Sequence, residues 1–188
     1  MAGQDRVHWD ERYQQKMDAP YPQPDRLLFP FTPPLRSAGN AHALDLACGV
    51  GQNGLWLAAQ GYVVDLVDVS RVALVRAREE ATRRHLRGVN FFQQDLDDAG
   101  LEADRYDLVV VFRFLSRKLM PQLRATVKPG GRILYQTFNT NYLTNHPEMN
   151  PDYLLHPGEL TGTFGDWRIL RVSETAHISQ IVAMKPVR

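Results

Sequence analysis

The run Ala43-Leu44-Asp45-Leu46-Ala47-Cys48-Gly49-Val50-Gly51-Gln52-Asn53-Gly54 passes without a break into Leu55-Trp56-Leu57-Ala58-Ala59. A short apolar stretch opens into a glycine turn and then into a Pro-free, helix-compatible segment, which is how a strand feeds a helix in a nucleotide-binding βαβ unit. The pattern points to an α/β chain with a ligand at the turn. Gly49 and Gly51 let backbone approach that ligand in dihedrals closed to residues with a Cβ, while Gly54 permits close helix-to-strand packing. No Ser, Thr or Asp stands at the turn as a cap. The first amides of the helix are therefore left for a ligand, for solvent or for a backbone turn.

Glycines in this spacing also mark nicotinamide-binding folds, so their neighbours decide. Asp45 lies inside the strand end, where an acid is costly to bury unless it organises the turn or meets a cation, and where a pyrophosphate would be a poor neighbour. The next apolar run, Tyr62 to Val67, ends at Asp68. From that position an acid reads ribose hydroxyls, although it can also simply start the helix ahead of Ser70. Farther on, Lys128-Pro129-Gly130-Gly131 forms a turn before a strand at Arg132 to Thr137.

The combination D-L-A-C-G-x-G at Asp45 to Gly51, the acid Asp68, Gln94-Asp95-Leu96 and K-P-G-G at Lys128 to Gly131 resembles the class I S-adenosylmethionine-dependent methyltransferases over roughly residues 41 to 137. Trp9-Asp10-x-x-Tyr13, G-x-N-G-L-W-L-A at Gly51 to Ala58, Phe114-Leu115-x-Arg117 and Pro157-Gly158-Glu159-Leu160 are similar to its small tellurite-resistance type. The resemblance implies a Rossmann-like, doubly wound, mainly parallel seven-stranded sheet that ends in a C-terminal antiparallel strand pair. It implies S-adenosyl-L-methionine as cofactor, with Asp45, Ala47, Cys48, Gly49, Gly51 and Asn53 at the glycine turn. Asp68 and Val69 would lie at the ribose, Gln94, Asp95 and Leu96 at the adenine, and Phe112 and Arg113 at the end of the fourth strand.

The 188 residues fit a single domain, in which residues 1–35 form an N-terminal helix and strap ahead of a cofactor-binding core at 36–188. No apolar run approaches the ~20 residues that span a bilayer, and the first residues carry no signal-peptide core, so a cytoplasmic protein is expected. Cys48 cannot staple the fold alone, and it reads as a small residue in a tight place. A net charge of +1 speaks against a general polyanion partner. Locally, five arginines and two lysines between Arg105 and Arg132 face one acid, Asp107. That stretch reads as a solvated face, or as an attractor of an anionic substrate or an RNA backbone.

Along the chain, Trp9, Tyr13 and Met17 fall at helical spacing within a helix over 8–17. Six of the twelve prolines lie between Pro20 and Pro34. That composition predicts a semi-rigid strap instead of a helix, and one that could act as a lid. Strands are expected at 43–47, 62–67, 89–93, 108–112 and 132–137, followed by an antiparallel pair at 167–172 and 177–184. Helices are expected over 52–60, 70–86, 116–127 and 157–164, with exposed pairs Glu79–Arg83 and Glu80–Arg84 on the second. Pro121 fits only in a first turn. His85 reads as a dipole partner of a helix end, and no metal site is expected.

A methyl donor with a sulfonium leaving group needs little more than alignment and dryness, so no dedicated catalytic residue is required. A deprotonated thiol, selenol or reduced metalloid attacks unaided, whereas a hydroxyl or amine needs a base, and none stands out. The N-P-P-Y type motif and the P-C dipeptide of nucleic-acid methyltransferases are absent. A small-molecule acceptor follows, of the kind of a soft nucleophile or metalloid oxyanion. Candidate contacts from placement are Trp9, Tyr13, Arg113, Arg117, Asn139, Tyr142 and His146. An RNA methyltransferase, a non-catalytic cofactor-binding module and a nicotinamide-dependent reductase are the rival readings.

Overall fold

The computed structural model describes residues 2–35, 40–97 and 100–187 of the chain. Seven strands, β1 (His42–Leu46), β2 (Val63–Asp68), β3 (Val89–Gln93), β4 (Tyr106–Phe112), β5 (Val127–Phe138), β6 (Arg168–Glu174) and β7 (Ile178–Met184), form a sheet of order β3-β2-β1-β4-β5-β7-β6. This is the mainly parallel, Rossmann-like seven-stranded sheet with a C-terminal antiparallel pair that the resemblance implied. The chain divides into two units after Gly100.

In the first unit β1, β2 and β3 pair in parallel. β1 and β2 are buried along almost their whole length, which is why they read as unbroken apolar runs. Helix α3 (Gln52–Ala59) starts from Gly51 at φ 78° without a side-chain cap and stops before Gly61 at φ 97°. Helix α4 (Arg71–Arg83) is capped by Ser70, whose hydroxyl accepts from the Ala73 amide, and it buries Leu74, Ala77 and Ala81. It ends short of Leu86, with His85 at φ 55° just beyond it. Glu80 is not exposed as expected. Its carboxylate accepts from Arg83 and, as expected, from Arg84, and together they hold it well below the usual carboxylate range.

The N-terminal helix α1 (Ala2–Gln14) begins and ends earlier than its aromatic spacing suggests, leaving Met17 beyond it. The proline-rich segment is a strap apart from one helical turn, α2 (Leu28–Phe31). Pro30 is tolerated there because the first turn has no intrahelical partner for the missing N–H. Of the acidic run after β3, Asp98 lies outside the described residues.

In the second unit β4 and β5 are parallel, while β5–β7 and β6–β7 are antiparallel. Pro121 falls in the first turn of α5 (Met120–Thr126), after a 3₁₀ turn at Arg117–Leu119 that replaces the expected start of the helix. Lys128-Pro129-Gly130-Gly131 is not a turn ahead of β5 but an irregularity inside it. Tyr106 pairs with Val127 and Leu108 with Arg132, so β5 loops out extra residues between two ladder positions. Gly131 is required there, since a Cβ would meet the Lys128 and Asp107 carbonyl oxygens at 2.9 and 3.0 Å. The polar connection after β5 carries two 3₁₀ turns, at Thr140–Thr144 and Pro151–Tyr153, before α6 (Glu159–Phe164). Among the described residues no helix is long and apolar enough to cross a membrane.

Candidate functional site

The end of β1 turns through three left-handed residues, Ala47 at φ 52°, Gly49 at φ 56° and Gly51 at φ 78°. The strained Ala47 was not foreseen, because nothing in an alanine's identity announces a positive φ; such residues persist where the surroundings over-determine them. Asp45 holds the turn from inside, its Oδ2 accepting from the Gly54 amide at 2.7 Å. Burial pushes its pKa up to about 7 against that hydrogen bond, and the Asp68 charge adds to the rise. A Cβ on Gly54 would collide with Leu66 and come within 3.0 Å of Asp45 Oδ2, so the third glycine serves both packing and the buried acid. Cys48 is 4% exposed and burial raises its thiol pKa, which disfavours the reactive thiolate.

Asp68 is only 6% exposed. Its Oδ2 accepts from the Gly49 amide at 2.7 Å and its Oδ1 from the Ser70 amide at 2.8 Å. Burial raises its pKa while these amides oppose the rise. The Val69 amide also steadies the charge, and since a carboxylate has about four lone-pair sites, acceptor capacity remains on Asp68 for a hydroxyl donor. The Gln94 amide donates to the Asp68 carbonyl at 3.0 Å, which draws the chain after β3 to the end of β2. There Asp95 Oδ1 accepts from the Asp97 amide, while Asp95 Oδ2 is buried without a hydrogen-bond partner among the described residues. Leu96 is buried beside it in sequence. Val69 contributes its carbonyl to the Gln93 side chain at 3.3 Å.

The N-terminal segment reaches the same turn. Tyr13 lies against Gly49 so closely that a Cβ there would strike its hydroxyl. Burial, and then the Asp68 charge, raise the pKa of this phenol and keep its proton in place. Tyr13 was read as an acceptor contact, and the structure puts it on the glycine turn. Trp9 packs on Tyr13 at 6.1 Å between ring centres and carries Arg12 over its ring at 5.2 Å. Asn53 Oδ1 accepts from the Asp25 amide at 2.8 Å, and the Tyr21 hydroxyl donates to the Val50 carbonyl.

In the second unit β4 ends with half-buried Phe112 and with Arg113, an exposed residue at φ 58° whose amide donates to the Gln136 carbonyl at 2.8 Å. Arg113, Gln136, Thr137, Phe138 and Ile178 line a small cleft. Arg117 is different, because its guanidinium is spent. It donates to both Glu159 oxygens at 2.7 and 2.9 Å and to the Asp152 and Leu154 carbonyls at 2.9 Å each. Asn139 is 1% exposed and organises its own turn, its Oδ1 accepting from the Asn141 amide and its Nδ2 donating to the Thr175 carbonyl. Tyr142 stacks on His146 at 4.1 Å and lies 4.4 Å from Phe138, with His177 edge-on at 5.9 Å. His177 Nδ1 is buried and unpartnered among the described residues, a feature without a sequence signal. The basic stretch is largely neutralised by Arg105–Glu102, Arg117–Glu159, Arg124–Asp166 and Lys128–Asp107 pairs. Among the described residues no group of three His, Cys, Asp or Glu could hold a metal ion.

Residues 43–131 match the methyltransferase-domain family. Over these residues the chain is similar to the S-adenosylmethionine-dependent methyltransferases, in keeping with the resemblance carried by its motifs. The domain is 32% identical over 139 residues to Hemagglutinin 1 of Eikenella corrodens, covering 70% of this chain and 45% of that protein. It is 26% identical over 140 residues to the probable S-adenosyl-L-methionine-dependent methyltransferase TehB of Haemophilus influenzae, covering 70% of this chain and 47% of that protein. The matched part thus spans less than half the length of these curated relatives. The crystal structure of TehB from Haemophilus influenzae aligns with a TM-score of 0.71 at 18% identity, over 94% of this chain and 67% of that one, which is a likeness of fold.

The residues around the glycine turn fit S-adenosylmethionine, the cofactor of the similar methyltransferases. S-adenosylmethionine has ribose hydroxyls and an adenine amino group to donate, a cationic sulfur and no phosphate. The glycine turn and the segment after β3 offer acids and, among the described residues, an unpaired acceptor, Asp95 Oδ2, instead of an anion cradle.

Proposed function

We propose that the domain binds S-adenosylmethionine at the glycine turn and transfers its methyl group in line to a small, anionic soft nucleophile. The single observation that carries this is the buried Asp95 Oδ2, without a hydrogen-bond partner among the described residues and just past the carboxyl end of the parallel strand β3, the edge where ligands bind in open α/β sheets. Asp95 would accept from the adenine amino group, the acceptor capacity left on Asp68 would take the ribose hydroxyls, and Asp45 would keep the turn in register. When bound, the cofactor supplies a methyl group already activated by its leaving group. The chain then has only to orient that group, exclude water and attract the acceptor. Tyr13 covers the turn. Within the second unit, Arg113 carries a guanidinium with no partner among the described residues, a group that suits an anion. A thiolate or reduced metalloid oxyanion needs no base, and the domain acts in the cytoplasm under this proposal.

The test is calorimetry with adenosylhomocysteine and its inosine counterpart, in which a carbonyl replaces the amino donor. The wild-type domain should prefer the adenosine form by about tenfold, the scale of one buried hydrogen bond to a charged group. Asp95→Ala should erase that preference. A domain that ignores adenosylhomocysteine but binds NAD would overturn the proposal. Labelled cofactor with a panel of thiols, metalloid oxyanions, amines and RNA then identifies the acceptor.

A further inference from the structure

The N-terminal helix and the start of α4 share a hydrogen-bond chain that leads to the ribose side of the glycine turn. Asp10, half-buried on α1, accepts at Oδ1 from the Ser70 hydroxyl at 2.6 Å and from the Val72 amide at 3.1 Å. The Ser70 oxygen in turn accepts from the Ala73 amide at 3.1 Å. The Ser70 amide donates to Asp68 Oδ1 at 2.8 Å, and Asp68 Oδ2 accepts from the Gly49 amide at 2.7 Å.

We infer that Asp10 is a positioning residue for the ribose-binding carboxylate: through Ser70 it fixes how Asp68 presents its free lone pairs. The inference rests on the proposed role of Asp68.

The physical case begins with the Ser70 hydroxyl, which has one hydrogen and can point it anywhere. With that hydrogen on Asp10 and a lone pair on the Ala73 amide, the rotor has no freedom left. Ser70 is fully buried, so water is not at hand to replace either partner. A plain helix cap needs only the Ser70–Ala73 bond. Asp10 adds a second capped amide, Val72, and locks the residue whose backbone N–H holds Asp68. The link spans 60 residues of sequence, so it depends on α1 being docked. Three residues after Asp10, and hence on the same helix face, Tyr13 lies against Gly49. One turn of α1 therefore reaches both the acid and the glycine turn. The Asp10 charge also acts on Asp68, adding to the rise that burial causes. Geometry and charge can be separated, because Asp10→Asn keeps an Oδ1 acceptor for Ser70 and Val72 while removing the charge, whereas Asp10→Ala removes both.

The experiment measures adenosylhomocysteine and its 2′-deoxy analogue by calorimetry on the wild-type chain, Asp10→Ala and Asp10→Asn, with melting temperatures alongside. The wild-type chain should favour the ribose form about tenfold. Asp10→Ala should cut that preference to about twofold or less, and Asp10→Asn should keep it. An Asp10→Ala chain that melts lower yet discriminates as well as the wild type would show a merely structural cap and overturn the inference. Equal loss in Asp10→Asn would assign the effect to charge and overturn it too. A wild-type chain that binds both ligands equally would refute the ribose role of Asp68 itself, a separate failure. Adenosylhomocysteine without any binding would refute the cofactor site.

Discussion

At the scale of single residues, the three acids of the first unit have different tasks although all are carboxylates at or after strand ends. Asp45 is sealed under the turn, Asp68 is engaged by amides, and Asp95 keeps one oxygen without a partner among the described residues. Asp45 gives the clearest solution signature. Its folded pKa of about 7 lies above the ordinary aspartate value of about 4, so folding favours its protonated form. The resulting stabilisation is fully present below about pH 4 and is lost as pH rises through about 7. Asp45→Asn keeps an acceptor for the Gly54 amide without the charge. The variant should match the wild type near pH 4 and melt several degrees higher near pH 8, so that its melting temperature falls less from pH 4 to 8. Parallel melting curves across that range would show that Asp45 is ionised throughout. The positions of these acids were legible because strand ends and glycine spacing are local patterns. The identity of the spent arginine was not. Arg113 and Arg117 look alike in sequence, and the acid that occupies Arg117 stands 42 residues later.

At the scale of elements, local rules carried far where the signal was local. β3 coincides with its expected span, Ser70 caps α4, and Gly61 follows the end of α3. They failed where pairing between strands decides, as in the Lys128 to Gly131 bulge, because register is a property of two segments and not of one. The strap shows the same contrast. Its prolines announced an extended course, but not the clasps that hold it. Those clasps are Tyr21 on the Val50 carbonyl, the Asp25 amide on Asn53, and Tyr62 on the Pro33 carbonyl at 2.7 Å. Arg76 adds bonds to the Lys16 and Ala19 carbonyls at the strap's entry. A strap clasped to the residue between two turn glycines should report on the ligand there. Trypsin should cut after exposed Arg26 slowly, more slowly still with adenosylhomocysteine, and several-fold faster in Tyr21→Phe. Cleavage that proceeds at one rate with and without the ligand would deny the strap any part in covering the site.

For the molecule as a whole, net charge and charge placement argue together about what it meets. A formal charge of +1 gives no general field for a polyanion, and the one basic stretch, 105–132, loses its appearance of a patch once folded. Glu102, Asp107, Glu159 and Asp166 each lie against a cation of that stretch, three of them from outside it in sequence, and Arg113 is left as its guanidinium without a described partner. Counterion release turns this into a number. A single-stranded RNA held by all seven cations would give a slope of log affinity against log salt of about −5, whereas one free guanidinium gives a magnitude below about 1. Filter retention of RNA by the domain should therefore be weak and nearly flat between about 50 and 200 mM salt. A slope of −4 or steeper would mean that the pairs open for phosphate, and would move the acceptor from small molecules to RNA. The same measurement on Arg113→Ala should remove the small residual slope, since Arg113 is the cation of that stretch left without a partner among the described residues, and a slope unchanged by the substitution would mean that other cations meet the phosphates.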